Sequence, residues 1–166
     1  MVDGSLVPVY KRSMNSGSND LAAAAKKLLT ENSTGFLSTQ SVKHSGYPYA
    51  SVVPYALSTE GTILFLISSL ATHTKNLKSN SKASLLIAEA TDDPQSAPRI
   101  TLMGDVIAVD AEKSSAAKSA YVKQHPKSQQ WVEFGDFAMY QLEIIDVYMV
   151  AGFGAMGWIK PDQLKS

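Results

Sequence analysis

A ten-residue segment near the middle of the chain combines side chains that could bind a phosphate. Ser68–Leu77, with the sequence SSLATHTKNL, brings hydroxyls, an imidazole and an ammonium group to the turn between a predicted strand and a predicted helix. The N-terminus of a helix presents free N–H groups and the positive end of the helix dipole, and both favour a phosphate. The same residues could instead form the capped, solvated first turn of a surface helix. On its own, the segment fits either interpretation.

Other segments could contribute to the same site. Pro48–Tyr55 predicts a strand containing Pro54, which cannot donate to a ladder, so this point must be an edge or a bulge. A ligand could use the exposed backbone, but an edge strand with a bulge is the simpler explanation. Arg99, at the start of a later strand, matters only if it faces Ser68–Leu77 across the sheet. Trp158 could pack on a partner subunit, on a flat ligand or in the core.

Composition excludes several classes of protein. The 166 residues contain 15 basic and 15 acidic side chains, which gives no electrostatic case for nucleic acid or an anionic membrane. There is no cysteine, and the three histidines lie at spacings that suggest no metal site. No familiar catalytic motif is present, so the catalytic residues stay unknown. Met1–Ser18 lacks the apolar core of a signal peptide, and the longest apolar run, Ile63–Ile67, is too short for a bilayer, which predicts a cytoplasmic protein.

The order of predicted elements favours an antiparallel barrel. Residues 1–17 are expected to form a flexible arm, and 18–166 a single domain that begins with a helix capped at Asn19 or Asp20. Further helices are predicted over 71–79 and 111–124, the latter broken at His125-Pro126. Strands are predicted over 35–39, 49–57, 62–68, 83–88, 99–109 with a bulge at Gly104, and 137–150, with a short final segment over 155–159. The sequence shows no repeated βαβ pattern, which disfavours a doubly wound sheet.

Four segments carry a resemblance to a known superfamily. They are Gly46–Tyr55 (GYPYASVVPY), Ser68–Leu77, Pro98–Gly104 (PRITLMG) and Gly152–Ile159 (GFGAMGWI). In this order they resemble the pyridoxamine 5′-phosphate oxidase-like FMN-binding split barrels, in the branch that includes split-barrel haem-degrading oxygenases. The resemblance covers roughly residues 20–160. It implies a mainly β fold with α-helices: a six-stranded antiparallel split β-barrel with flanking helices, which forms a homodimer with two shared sites for flavin mononucleotide (FMN).

The resemblance also implies which residues contact the cofactor. The oxidases carry an arginine where Ser51 aligns and a Ser-Arg-Lys clamp where 71–73 aligns, and the oxidases' C-terminal substrate segment is missing. We therefore predict an FMN-binding protein, a flavin-dependent oxidoreductase of unknown substrate, rather than a pyridoxamine phosphate oxidase. The residues implied in cofactor binding are Ser51, Val52, Val53, Pro54, Ser68, Ser69, Thr72, His73, Thr74, Lys75, Arg99 and Trp158.

Two alternative functions stay open at this stage. The first is a haem-binding or haem-degrading protein of the same fold. Haem-degrading relatives supply a ligand from an additional C-terminal region, and the sequence has no histidine after His125, which disfavours haem. The second is a non-enzymatic binding module, because some split barrels have lost their cofactor. An absorption spectrum would separate these functions.

Overall fold

The computed structural model describes residues 14–152 and 154–165. Within these ranges, three α-helices and two 3₁₀ helices flank eight strands. The α-helices are α1 (Met14–Glu31), α2 (Thr72–Ser79) and α3 (Ala111–Gln124), and the 3₁₀ helices are Pro126–Gln130 and Pro161–Leu164. The strands are β1 (Thr34–Gln40), β2 (Pro48–Pro54), β3 (Ala56–Leu57), β4 (Ile63–Ser68), β5 (Lys82–Ala88), β6 (Arg99–Ala108), β7 (Phe137–Gly152) and β8 (Ala155–Ile159).

The strands form one antiparallel sheet whose two edges are joined by a single residue. The strand order is β2-β1-β5-β6-β7-β4-β3, and β8 pairs with the C-terminal half of β7. β2 and β3 lie at opposite ends of this order, yet only Tyr55 separates them in the chain. The sheet must therefore curl until its edges meet, which produces a barrel. Tyr55 is fully buried, and its hydroxyl donates to the carbonyl of Leu29 in α1 at 2.8 Å, so it also fixes α1 to the barrel.

Strand β4 is buried on both faces, which explains its continuous apolar sequence. Successive strand side chains point to opposite faces, so alternate residues enter different clusters. Ile63, Phe65 and Ile67 belong to the interior core of the barrel. Leu64 and Leu66 belong to a second cluster formed with α3, which includes Tyr121, Val132 and Met139. This second cluster fixes α3 against the outside of β4.

The predicted mainly β fold with flanking helices is confirmed. The six predicted main strands are present, the strand over 49–57 is divided at Tyr55, and β8 joins the sheet as a further strand. A register shift between Met103 and Gly104 confirms the predicted bulge. Among the described residues, no helix is long and apolar enough to cross a membrane.

The start of α1 differs from the prediction. The helix begins at Met14, five residues before the predicted cap at Asn19. A tertiary contact contributes to this extension: Gln163 Nε2 donates to Ser18 Oγ at 3.1 Å, which ties the early helix to the second 3₁₀ helix. Residues 1–13 of the predicted arm lie outside the described residues.

Asn76 connects α2 to the β1–β2 hairpin, and replacing it should destabilise the fold. Its side chain is buried, Nδ2 donates to Thr39 Oγ1 at 3.0 Å, and Oδ1 accepts from the backbone N–H of Val42 at 3.0 Å. An Asn76→Leu variant keeps the size but removes these partners, so unfolding in urea should show a loss of about 2–3 kcal/mol. Asn80→Leu is the control, because Asn80 makes an exposed bond that water can replace. Equal losses for the two variants would contradict this role.

Candidate ligand-binding groove

An open groove of about 710 Å³ lies between the β2–β4 side of the barrel and the α3–3₁₀ segment. Its walls are largely apolar and aromatic, with a few polar groups from the strand ends and from the first 3₁₀ helix. This combination is typical of a site for a small, flat ligand. The lining residues are Val52, Val53, Pro54, Leu66, Ile67, Ser68, Ala71, His73, Tyr121, Gln124, His125, Pro126, Lys127, Ser128, Trp131 and Phe137.

The α3–3₁₀ wall of the groove is attached to the barrel by side-chain hydrogen bonds. Pro126 ends α3 and starts the 3₁₀ helix. His125 Nε2 lies 2.7 Å from the carbonyl oxygen of Tyr55, and because a carbonyl only accepts, Nε2 carries the proton. Gln124 bonds both backbone groups of Leu57: its Nε2 donates to the carbonyl at 2.9 Å and its Oε1 accepts from the N–H at 3.1 Å. The sequence marked His125-Pro126 only as a helix break, so this wall was not predicted.

His73 of α2 and Ser51 of β2, two of the residues predicted to bind the cofactor, form a pair at the groove. Ser51 Oγ lies 3.1 Å from His73 Nδ1. Desolvation by burial lowers the pKa of His73 below its usual value, which favours the neutral imidazole at neutral pH. Val52, Val53 and Pro54 line the groove beside this pair. β2 and the start of α2 therefore meet at the groove.

Ser68 is engaged by a carboxylate that sequence reasoning missed. Its hydroxyl donates to Asp136 Oδ2 at 2.6 Å and accepts from the N–H of Leu70 at 3.1 Å. The N–H of Ser69 donates to the carbonyl of Asp136 at 2.7 Å. A carboxylate at this end of the groove opposes a phosphate dianion through like-charge repulsion. No sequence signal links Ser68 with a residue 68 positions later.

The remaining predicted residues of α2 do not line the groove. Thr72 and Lys75 are exposed on the helix, whereas Thr74 is buried and its hydroxyl has no hydrogen-bond partner among the described residues. Ala71 caps the helix without a side-chain hydrogen bond. The predicted role of these residues, together with Ser69, in phosphate binding therefore stays a prediction.

Arg99 and Trp158 lie elsewhere on the barrel. Arg99 and Ser68 pair with opposite ends of β7, at Val150 and Phe137, so Arg99 does not face the Ser68 end of the groove within one chain. Its Nη1 instead donates to three backbone carbonyls of the preceding loop, each at 3.2 Å, which stabilises residues 94–97. Trp158 is 58% exposed on β8 and contacts Tyr148 edge-on, with ring centroids 5.0 Å apart. Neither residue lines the groove, so only a site shared between two chains could bring them to a cofactor bound there.

A row of directly paired residues crosses six strands on the outer face of the barrel. Directly paired residues in a sheet share a face, so their side chains lie side by side. Val52, Phe36 and Trp158 in this row are more than 45% exposed, at 63%, 49% and 58%. Val52 also lines the groove, so the row and the groove are continuous. We call this set the outer row; it consists of Val52, Phe36, Leu86, Thr101, Tyr148 and Trp158.

The curled sheet and its groove define a member of the pyridoxamine 5′-phosphate oxidase-like split-barrel superfamily, as the resemblance implied. Solved structures support this class: a haem-binding protein from Mycobacterium smegmatis has a TM-score of 0.79 at 26% identity, over 94% of this chain and 61% of that chain. HutZ, a haem storage protein from Vibrio cholerae, shares the fold with a TM-score of 0.64 at 22% identity, over 75% of this chain and 89% of its own. Within this class, the chain belongs to the CREG β-barrel family, whose model matches residues 17–165.

A curated relative is similar in sequence over most of the chain. The chloroplastic non-canonical haem oxygenase HOZ of Arabidopsis thaliana is 42% identical over 127 residues, which is 76% of this chain. The match spans only 39% of that relative's length. These similarities favour the haem alternative over the FMN prediction.

Proposed function

We propose that this protein binds haem in the groove between β2, β4 and the α3–3₁₀ wall. The observation that carries the proposal is the lining of the groove: apolar and aromatic walls, the imidazole of His73, whose pKa is lowered by burial, and a carboxylate bonded to Ser68, where a phosphate was predicted to bind. A porphyrin is a flat apolar ring with carboxylate groups at one edge, which suits apolar walls with Lys127 at the rim. The haem proteins among its relatives support the same ligand.

FMN is the second candidate, because β2 is an edge strand. β2 pairs with β1 on one side only, so backbone groups between Ser51 and Pro54 are unpaired within the described sheet. These groups could hydrogen-bond the polar edge of a flavin ring. Two observations disfavour FMN. The groove lining offers one lysine for its phosphate, and Ser68 is already bonded to Asp136.

The proposal includes a homodimer whose interface buries the outer row. A contiguous row with exposed Val52, Phe36 and Trp158 is the kind of surface that a second copy of the chain buries. Symmetric dimers use the same patch on both subunits and are the commonest oligomers. Because Val52 belongs to both surfaces, a partner on the outer row would also form part of the wall of the groove.

Titration with ferric haem and with FMN separates the two ligands. The purified protein should bind ferric haem at one site per chain, with a dissociation constant of about 1 µM or tighter, equivalent to about −8 kcal/mol. The Soret band reports haem binding, and quenching of flavin fluorescence reports FMN binding. Tighter binding of FMN than of haem would overturn the proposal and restore the flavin prediction.

The loaded protein then distinguishes catalysis from binding alone. Ascorbate is added to the haem complex under air, with catalase present to remove free peroxide. Loss of the Soret band with formation of an open-chain product would assign haem degradation, whereas a stable band would assign the binding module.

A further inference from the structure

The groove holds one imidazole whose outer nitrogen has no hydrogen-bond partner among the described residues. His73 lines the groove, and its side chain bonds Ser51 through Nδ1. We propose that His73 Nε2 is an axial ligand of the haem iron and that Ser51 orients it. This inference rests on the proposed haem-binding function and extends it to a particular atom.

Ser51 is placed to set the tautomer that ligation requires. A histidine that ligates a metal through Nε2 carries its proton on Nδ1 and usually donates it to a neighbouring oxygen. Ser51 Oγ, at 3.1 Å from Nδ1, can accept this proton while its own hydroxyl hydrogen points elsewhere. Ser51 is therefore a positioning residue, which fixes the ring and leaves the lone pair of Nε2 available.

The other histidines are less suited to this role. His125 has its Nε2 bonded to the carbonyl of Tyr55 at 2.7 Å, and its ring packs on Tyr121 with centroids 4.8 Å apart. His44 lies in the exposed loop between β1 and β2, outside the groove. His73 thus combines a position in the groove with an uncommitted Nε2.

The surroundings of His73 also indicate the kind of metal. The described residues contain no group of three or more histidine, cysteine, aspartate or glutamate side chains that could hold an ion. A bare metal ion held by protein ligands generally needs three or four of them, so one imidazole is insufficient. Haem iron brings four equatorial nitrogens and needs only an axial ligand from the protein. His73, the groove histidine with an uncommitted Nε2, is therefore better matched to haem than to a free ion.

A cavity variant tests the ligation directly. His73→Gly should weaken ferric haem binding at least tenfold and shift the Soret band, and added imidazole should restore the wild-type spectrum. Affinity for iron-free protoporphyrin IX should be unchanged, because that ring makes no axial bond. His44→Ala, the matched control, should leave the ferric spectrum and affinity as in the wild type. An unchanged ferric spectrum in His73→Gly would overturn the inference, as would equal losses for haem and protoporphyrin.

Two measurements keep the test independent of how well that variant folds. Resonance Raman spectra of the ferrous wild-type complex should show an iron–imidazole stretch, and its absence would overturn the inference. Ser51→Ala retains the imidazole but should shift the frequency of this stretch, since the bond to Nδ1 tunes the ligand; an unchanged frequency would remove Ser51 from the role. If the wild-type protein fails to bind haem at all, the proposed function fails. If it binds haem without this stretch, only the assignment of His73 fails.

Discussion

Replacing Gly104 with alanine is expected to destabilise the barrel by at least about 3 kcal/mol. Gly104 lies at the bulge between β6 and β7, where the register shifts. An added Cβ would overlap the backbone carbonyl oxygen of Glu143, and would lie 2.8 Å from the carbonyl carbon of the same residue and 3.1 Å from the Cα of Ile144. These neighbours are backbone atoms of the long strand β7, which pairs with β6 at this point, with β4 before it and with β8 after it, so they cannot move aside as a flexible side chain would.

The measurement is urea unfolding followed by circular dichroism, with Gly135→Ala as the control. A Cβ at Gly135 meets nothing within 4 Å, so this variant should stay within about 0.5 kcal/mol of the wild type. A loss of stability in Gly104→Ala no larger than that of the control would contradict this prediction. It would mean that the backbone of β7 shifts easily at the bulge.

Phe36→Glu is expected to convert the proposed homodimer to a monomer and to weaken ligand binding. Phe36 is 49% exposed and sits between Val52 and Leu86 in the outer row. In a dimer that covers this row, the charge would be buried without a partner, which should raise the dissociation constant at least a hundredfold, or about 2.7 kcal/mol. Haem affinity should fall as well, because Val52 is shared by the outer row and the groove.

Sedimentation velocity at micromolar concentration measures the first effect, and haem titration measures the second. Phe134→Glu is the matched control: it makes the same chemical change at a phenylalanine that is 57% exposed but lies outside the outer row. A wild-type protein that sediments as a monomer would contradict the dimer. A dimer that persists in Phe36→Glu would place the interface on another surface.

Local chemistry made much of the barrel predictable. Pro54 cannot donate to a ladder, and the structure breaks the strand immediately after it, at the edge of the sheet. Gly104 suggested a bulge from the sequence, and the register shift lies there. The apolar run Ile63–Ile67 predicted a strand, and the two core clusters show that this strand is buried on both faces. Each of these features depends on a few adjacent residues, which is why the sequence alone sufficed.

The groove was less predictable because distant parts of the chain form it. Asp136 meets Ser68 across 68 residues, and His125 meets Tyr55 across 70. Neither contact has a signature in residue type or spacing. The interpretation of Ser68–Leu77 as a phosphate site used the hydroxyls of the segment but not the carboxylate that already engages one of them. The preference for FMN over haem came from the resemblance and from the lack of a histidine after His125, and neither could reveal these contacts.

The linkage of β2 to β3 through Tyr55 bears on how a ligand enters the groove. One wall, formed by β2 and β4, belongs to a sheet whose edges are covalently joined, so its width is fixed by the backbone. The opposite wall is attached at its edge by the side chains of Gln124 and His125. Hydrogen bonds of this kind open far more readily than a barrel distorts. A bulky ligand should therefore be admitted by outward swinging of residues 124–131, with the rate of uptake set by that movement.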